Sequence, residues 1–338
     1  MTRTLEIGSS PHMTGSASVD RIMRDVVIAL LPVIAFAVYR FGLAALATLA
    51  VATVTCLVTE KLLAKRPSLS DWSVAVTGLL YGLCLPPGLP LWMTALGAVV
   101  AVAVGKILFG GLGCNAFNPA LVGRAFLAAA FPSAMTTWLA PGATDRFTAL
   151  PGVTLTLPFA SPAYDGITAA TPLTSWKFSH VGTGSADLAF GLTAGSIGET
   201  SAVLIVLGGL YLVLRRVANW RIPLALLGTV GLLSAGLHAV DPARYPSADF
   251  MLLSGGLMLG AVFMATDSVA SPLTPLGAWL YGALIGLLTL AIRLFGGMPE
   301  GVMYAILIGN AVAPLIDRWV KPRVFGTTRR TARPSATS

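Results

Sequence analysis

Leu43-Ala-Ala-Leu-Ala-Thr-Leu-Ala-Val-Ala-Thr-Val-Thr-Cys-Leu-Val-Thr-Glu-Lys-Leu-Leu63 carries no charged side chain from Leu43 to Thr59, and its first charges come at its end. A helix that crosses the ~30 Å hydrocarbon core of a bilayer needs roughly 20 predominantly apolar residues. This stretch meets that requirement. Its neighbour Val26–Phe41 is somewhat shorter but equally apolar, with its single charge, Arg40, next to its end. The pattern recurs outward from this pair. In the first half it recurs at Trp72–Leu85, Trp92–Phe109 and Ala120–Phe131. In the second half it covers Ala202–Leu214, Ile222–Val240, Phe250–Thr266, Leu276–Leu294 and Val302–Trp319. Composition agrees: 55% of the 338 residues are hydrophobic, only 11% are charged, and the mean hydropathy is +0.80. Soluble domains average about 25% charged residues, so a mostly water-facing surface is excluded. The expected fold is an all-α polytopic membrane protein of about ten transmembrane helices.

The segments between the spans divide the chain. Residues 1–25 are polar, lack the apolar core of a signal peptide and lead directly into the first span. Residues 26–131 hold the first five spans, 132–198 form a connection rich in Pro, Gly, Ser and Thr, 199–320 hold the second five, and 321–338 form a basic tail. If the N-terminus is cytoplasmic, sixteen of the 22 Lys and Arg fall on the cytoplasmic side, five on the other, and Arg124 within a span. The positive-inside rule then places both termini in the cytoplasm and the 132–198 connection outside, in the periplasm of a bacterial inner membrane. The net charge of +8 follows from this distribution at helix ends and in the tail, so nucleic acid is not the expected partner; the lipid bilayer is.

Two pairs of stretches hint at an internal repeat: Gly78-Leu-Leu-Tyr-Gly-Leu with Gly256-Leu-Met-Leu-Gly-Ala, and Lys106-Ile-Leu-Phe-Gly-Gly with Ile292-Arg-Leu-Phe-Gly-Gly. Five spans per half would invert the second copy, and inverted repeats place sites near the midplane where Gly or Pro interrupts a helix. The interruptions are Pro86-Pro-Gly88 and Asp267-Ser-Val-Ala-Ser-Pro272. Such an architecture resembles that of urea transporters.

Few residues read as chemical. Cys56, Cys84 and Cys114 lack a C-x-x-C spacing and His12, His180 and His238 are scattered, so no metal or iron–sulfur site held by this chain alone is expected. No Gly-x-Gly-x-x-Gly or Walker A motif is present, so NADH binding is not expected. The turn Phe109-Gly-Gly-Leu-Gly-Cys-Asn-Ala-Phe-Asn-Pro119 concentrates Gly110, Gly111 and Gly113, which permit close backbone approach, with the amides of Asn115 and Asn118. Arg124 follows within an apolar helix, where a charge is costly and marks function by default, and Asp267 sits at the matching break of the second half.

The chain resembles the family of the Rnf D subunit and the B subunit of the sodium-pumping NADH:quinone reductase. The matching stretches run in order over nearly the whole sequence. They are Ser9-Ser-Pro-His12, Phe109 to Ala120, Gly195-Ser-Ile-Gly-Glu-Thr-Ser201, Phe263-Met-Ala-Thr-Asp267, Gly296-Gly-Met-Pro-Glu-Gly301 and Asn310-Ala-Val-Ala-Pro-Leu-Ile-Asp317. In that family a Ser/Thr-Gly/Ala-Ala-Thr motif receives FMN through a phosphoester on its last hydroxyl. Here the motif reads Thr168-Ala169-Ala170-Thr171. The resemblance therefore implies covalent FMN on Thr171, with Asp165, Thr168 and Ala170 belonging to the recognition motif and small neighbours leaving the hydroxyl reachable. Ala169 stands where many members have Gly. The resemblance also implies a non-covalent riboflavin, partners in the A, B, C, E and G subunits of an Rnf complex, and electron flow between NADH and ferredoxin coupled to Na⁺ or H⁺ movement. We expect the glycine-rich turn and Arg124 to serve the second flavin, and Asp267 the ion route. A solute channel of urea-transporter type, or an anchor subunit without redox function, are the competing readings, and the Thr168–Thr171 motif separates them from the first.

Overall fold

The computed structural model describes residues 18–64, 71–158, 160, 169–199 and 201–321. Among these the regular structure is helical. Four helices are long and apolar enough to cross a membrane: α1 (Val19–Phe41), α2 (Leu43–Leu63), α10 (Arg221–Val240) and α13 (Pro275–Phe295). Shorter apolar helices are α3 (Ser73–Leu83), α4 (Leu91–Val102, prolonged by a π-helical turn to Ile107), α5 (Pro119–Ala130) and α9 (Ala202–Leu214). The chain is a polytopic, helical membrane protein. Its exterior agrees, since Val203, Val206, Leu207, Leu210 and Leu214 of α9 are all exposed.

One expected span is broken. The stretch Phe250–Thr266 is not a continuous helix but α11 (Ala248–Leu253), a break at Ser254–Gly256, α12 (Leu257–Leu259) and a π-helical turn to Met264. Gly255 takes φ +65°, a left-handed conformation that suits a residue without a side chain. Backbone groups freed in a low-dielectric interior must find partners. Arg293, at the end of α13, supplies them: Nη1 donates to the Met251 carbonyl at 2.6 Å and Nη2 to the Ser254 carbonyl at 2.9 Å.

The helices pair by the same scheme in both halves. Helix α2 packs on α3 and α4, and α4 on α5; α10 packs on α11 and α13, and α13 on α14 (Val302–Trp319). Contacts of α1 with α9 and of α5 with α14 join the halves. Glycine makes these crossings close. A Cβ on Gly282 would lie 2.6 Å from the Ile222 carbonyl oxygen, and one on Gly286 2.7 Å from that of Leu226. Without a hydrophobic drive between helices in lipid, association rests on such close packing. Gly282→Val is therefore expected to destabilise the solubilised chain by about 1–3 kcal/mol, the usual cost of overpacking, or more because backbone must move. Thermal unfolding in detergent at the wild-type temperature would refute this.

The 132–198 connection is only partly loop. It contains α6 (Pro132–Met135), α7 (Pro172–Ser179) and α8 (Ser185–Phe190), and it docks on the bundle through buried Leu173, Leu188 and Ile197. Asp165 and Thr168 lie outside the described residues.

Candidate functional site

Thr171 begins α7, and the local sequence explains why. Proline at the first helical position needs no N–H partner and has its φ already set, and a threonine before it caps the helix. The Thr171 Oγ1 accepts from the Thr174 N–H at 3.3 Å and lies 2.8 Å from the Thr174 hydroxyl. The segment ahead is fixed by Ala169 N–H donating to the Trp138 carbonyl at 3.0 Å. Farther along α7, Lys177 Nζ donates to the carbonyls of Arg293 at 3.1 Å, Met298 at 2.9 Å and Gly296, which satisfies the C-terminal end of α13. Trp176 packs on Phe250 with ring centroids 5.7 Å apart. Helix α7 is thus clamped between α11 and the α13–α14 connection.

Beside Thr171 opens a cavity of about 490 Å³, with Ala169 and Ala170 on its rim. Trp138, Phe178 and Tyr304 give it aromatic walls, and Arg124 and Glu300 give it charge. Ligand sites of small-molecule size run about 300–1,000 Å³ and are mostly apolar with a few placed polar groups, and this cavity has that character. Thr171 itself is 3% exposed, so its hydroxyl is engaged as a cap and faces the cavity wall rather than standing open. Arg124 is buried and its guanidinium is ion-paired with the Glu300 carboxylate.

A second, smaller pocket of about 120 Å³ lies where α5 starts, at the other end of that helix. Gly110, Gly111 and Gly113 take φ of +117°, +97° and +83°, so the glycines serve the turn itself. The asparagines carry the contacts. Asn118 caps α5, accepting from Ala120 N–H at 3.1 Å and Leu121 N–H at 3.3 Å. Its own N–H donates to Asn310 Oδ1 at 3.2 Å, and Asn310 Nδ2 donates to the Ala270 carbonyl at 3.2 Å and the Tyr281 hydroxyl at 2.7 Å. Asn115 Nδ2 donates to the Phe117 carbonyl at 3.2 Å and to Asp267 Oδ2 at 3.4 Å, while Asp267 Oδ1 accepts from Val269 N–H at 3.0 Å. The structure therefore brings Asn115, Asn118 and Asp267 together. It does not bring Arg124 to them: that side chain belongs to the Thr171 cavity.

The sequence profile of the NQR2, RnfD, RnfE family matches residues 6–326. The chain belongs to that family. Among curated proteins it is 41% identical to the D subunit of the proton-translocating ferredoxin:NAD(+) oxidoreductase complex of Clostridium ljungdahlii, over 96% of both chains. It is also 41% identical to the D subunit of the Na(+)-translocating ferredoxin:NAD(+) oxidoreductase complex of Acetobacterium woodii, again over 96% of each. The D subunit of the ion-translocating oxidoreductase complex of Halorhodospira halophila is 38% identical over 96% of each.

For a member of this family, two residues went unassigned in the sequence. Glu199 and Glu300 sit inside the stretches Gly195–Ser201 and Gly296–Gly301, which carried the resemblance as blocks, without a role for either acid. The available signal was an acidic residue next to a glycine just ahead of an apolar helix. The structure puts Glu300 on the cavity wall against Arg124.

Proposed function

We propose that this chain is the D subunit of an Rnf-type ion-translocating oxidoreductase and that it carries FMN esterified to Thr171. The observation that carries this is the placement of the Thr171 hydroxyl at the start of α7, on the wall of an aromatic-lined cavity with one guanidinium. FMN would supply electron transfer when bound. The protein's part is to hold it. The phosphate would sit at the N-terminal end of α7, where the positive end of the helix dipole favours an anion, and Trp138, Phe178 and Tyr304 would cover ring surface. The names of the relatives support membership of such a complex; its A, B, C, E and G subunits are the partners we propose. They do not agree on the coupling ion, since relatives of equal identity are described as proton- and Na⁺-translocating. The test is direct. After denaturing electrophoresis the chain should fluoresce as a flavoprotein, and the flavin-bearing peptide should map to Thr171; a colourless chain from a flavin-replete complex would refute the assignment.

The remaining proposals concern architecture and the second pocket. The matched helix pairing supports two five-helix repeats, inverted, with both termini cytoplasmic and the Thr171 cavity periplasmic. A cysteine placed between Thr136 and Gly195 should then react with a membrane-impermeant reagent from outside, and labelling only after the cells are opened would reverse the orientation. Riboflavin is the proposed occupant near Asn115 and Asn118. At about 120 Å³ that pocket is too small for a flavin ring as it stands, so the glycine-rich turn would have to open to admit one. Asp267 is proposed for the ion route. Asp267→Asn should keep covalent FMN and assembly yet uncouple ion movement; normal pumping would remove Asp267 from that route.

A further inference from the structure

Behind the Thr171 cavity four charged side chains from four segments meet. Arg124 comes from α5, Glu199 from the turn before α9, Arg293 from the end of α13 and Glu300 from the α13–α14 connection. With all four ionised the cluster is neutral. Its hydrogen bonding is not complete. Glu199 Oε1, Glu300 Oε1, Ser254 Oγ and Arg293 Nε are sealed from solvent and have no hydrogen-bond partner among the described residues. Buried polar atoms are nearly always paired, and such exceptions ask for an explanation.

The two acids are held differently. Glu300 is ion-paired with Arg124 through its other oxygen. Glu199 takes hydrogen bonding from Ser196 on its own turn, and no ion pair reaches it among the described residues. Its Oε1 lies beside Gly256, 3.4 Å from where a Cβ would stand, and Arg124 Nη1 is 3.9 Å from the same point. The side chains facing Glu199 are Arg124, Glu300, Arg293 and the Cys84 thiol at the end of α3. Burial and the neighbouring Glu300 push the Glu199 carboxyl up to about 8 while Arg124 and Ser196 oppose them, so carboxylate and acid are both populated near that pH and a further negative charge nearby tips the balance to the acid. Arg124 and Glu300 line the cavity, so charge arriving there is felt by Glu199 through one intervening ion pair.

We propose that Glu199 is a redox-linked proton acceptor for the cavity: it takes one proton from solution when an electron reaches the flavin carried by Thr171. The inference rests on the flavin reading above. The electron comes from the reduced flavin of a partner subunit. The added negative charge stays on the cofactor, the proton converts the Glu199 carboxylate to the acid, and no bond forms between the two. The cluster gains one positive charge against the one negative charge that enters beside it.

Redox-induced infrared difference spectra of the purified wild-type complex test this. Reduction of the Thr171 flavin should produce a carboxylic-acid C=O band that shifts in D₂O and disappears in Glu199→Gln. In parallel, the midpoint potential of that flavin should fall as pH rises in the wild type and lose this slope in Glu199→Gln. Absence of the band in the wild type overturns the proposal, as does a band that survives in Glu199→Gln and vanishes in Glu300→Gln. Should Glu199→Gln fail to assemble, the wild-type spectrum and its pH slope still decide. A chain without in-gel flavin fluorescence would refute the underlying reading; a fluorescent chain without the band would refute only this one.

Discussion

Thr171→Asn is expected to abolish covalent flavin completely while the protein still folds and inserts. Asparagine caps helices about as well as threonine, so α7 keeps its start, but it has no hydroxyl to esterify. The more usual Thr171→Ala removes both functions. Its capping loss costs about 1 kcal/mol, small enough for the fold to survive, yet it leaves the cause of any defect ambiguous. The necessary control is Thr174, whose hydroxyl lies 2.8 Å from that of Thr171 and borders the same cavity. Thr174→Ala should keep the flavin. In-gel fluorescence of the three variants reads the result, with membrane insertion followed by immunoblot. Fluorescence in Thr171→Asn together with its loss in Thr174→Ala would transfer the acceptor role three residues along. Fluorescence in all three would remove α7 from the chemistry.

The experiment matters because the two parts of this site differ in how they can be read. The cap is legible in the sequence: Thr171 before Pro172 is a helix start on local grounds alone. The flavin is not, since Ala169-Ala170-Thr171 has no feature that distinguishes it from an ordinary turn, and the assignment came through resemblance. Arg124 shows the opposite failure. Six residues after Asn118 on one helix it reads as part of the glycine-rich turn, but six residues advance a helix by ~9 Å, and the side chain points into the other cavity. The broken α11–α12 segment was hidden for a further reason. Its apolar composition is that of a continuous span, and the group that makes the break tolerable, Arg293, is remote in the chain. The long apolar spans α1, α2, α10 and α13 needed no such partner, because a helix satisfies its own backbone; α2, α10 and α13 stand within a residue of where hydropathy puts them, while α1 begins at Val19, inside the polar segment expected to precede it.

Lys106→Met is expected to be the most destabilising of these single changes. The residue sits in the π-helical turn that ends α4, is 3% exposed, and holds two elements at once. Its Nζ donates to Glu60 Oε2 on α2 at 2.7 Å and to Ser73 Oγ on α3 at 2.8 Å, and Ser73 in turn donates through its hydroxyl to Asp71 Oδ1 at 2.8 Å. Glu60 and Asp71 are each 5% exposed. Removing one partner of a buried ion pair leaves the other charge uncompensated, at a typical cost of about 3–5 kcal/mol, whereas removing both charges together is often close to neutral. Lys106→Met paired with Glu60→Gln should therefore recover part of what the single variant loses. Buried Cys56 and Cys84 give the readout, since a thiol-reactive dye reports their exposure as the detergent-solubilised chain is heated. A single variant that unfolds at the wild-type temperature, or a double variant no more stable than the single, would show that the charge pair does not hold α2, α3 and α4 together. Lys106 also lines the pocket of Asn115, Asn118 and Asp267. It shares that pocket with the acid proposed for the ion route. The double variant is informative here as well: with packing restored and that charge gone, a change in ion coupling would come from electrostatics rather than from a loosened bundle.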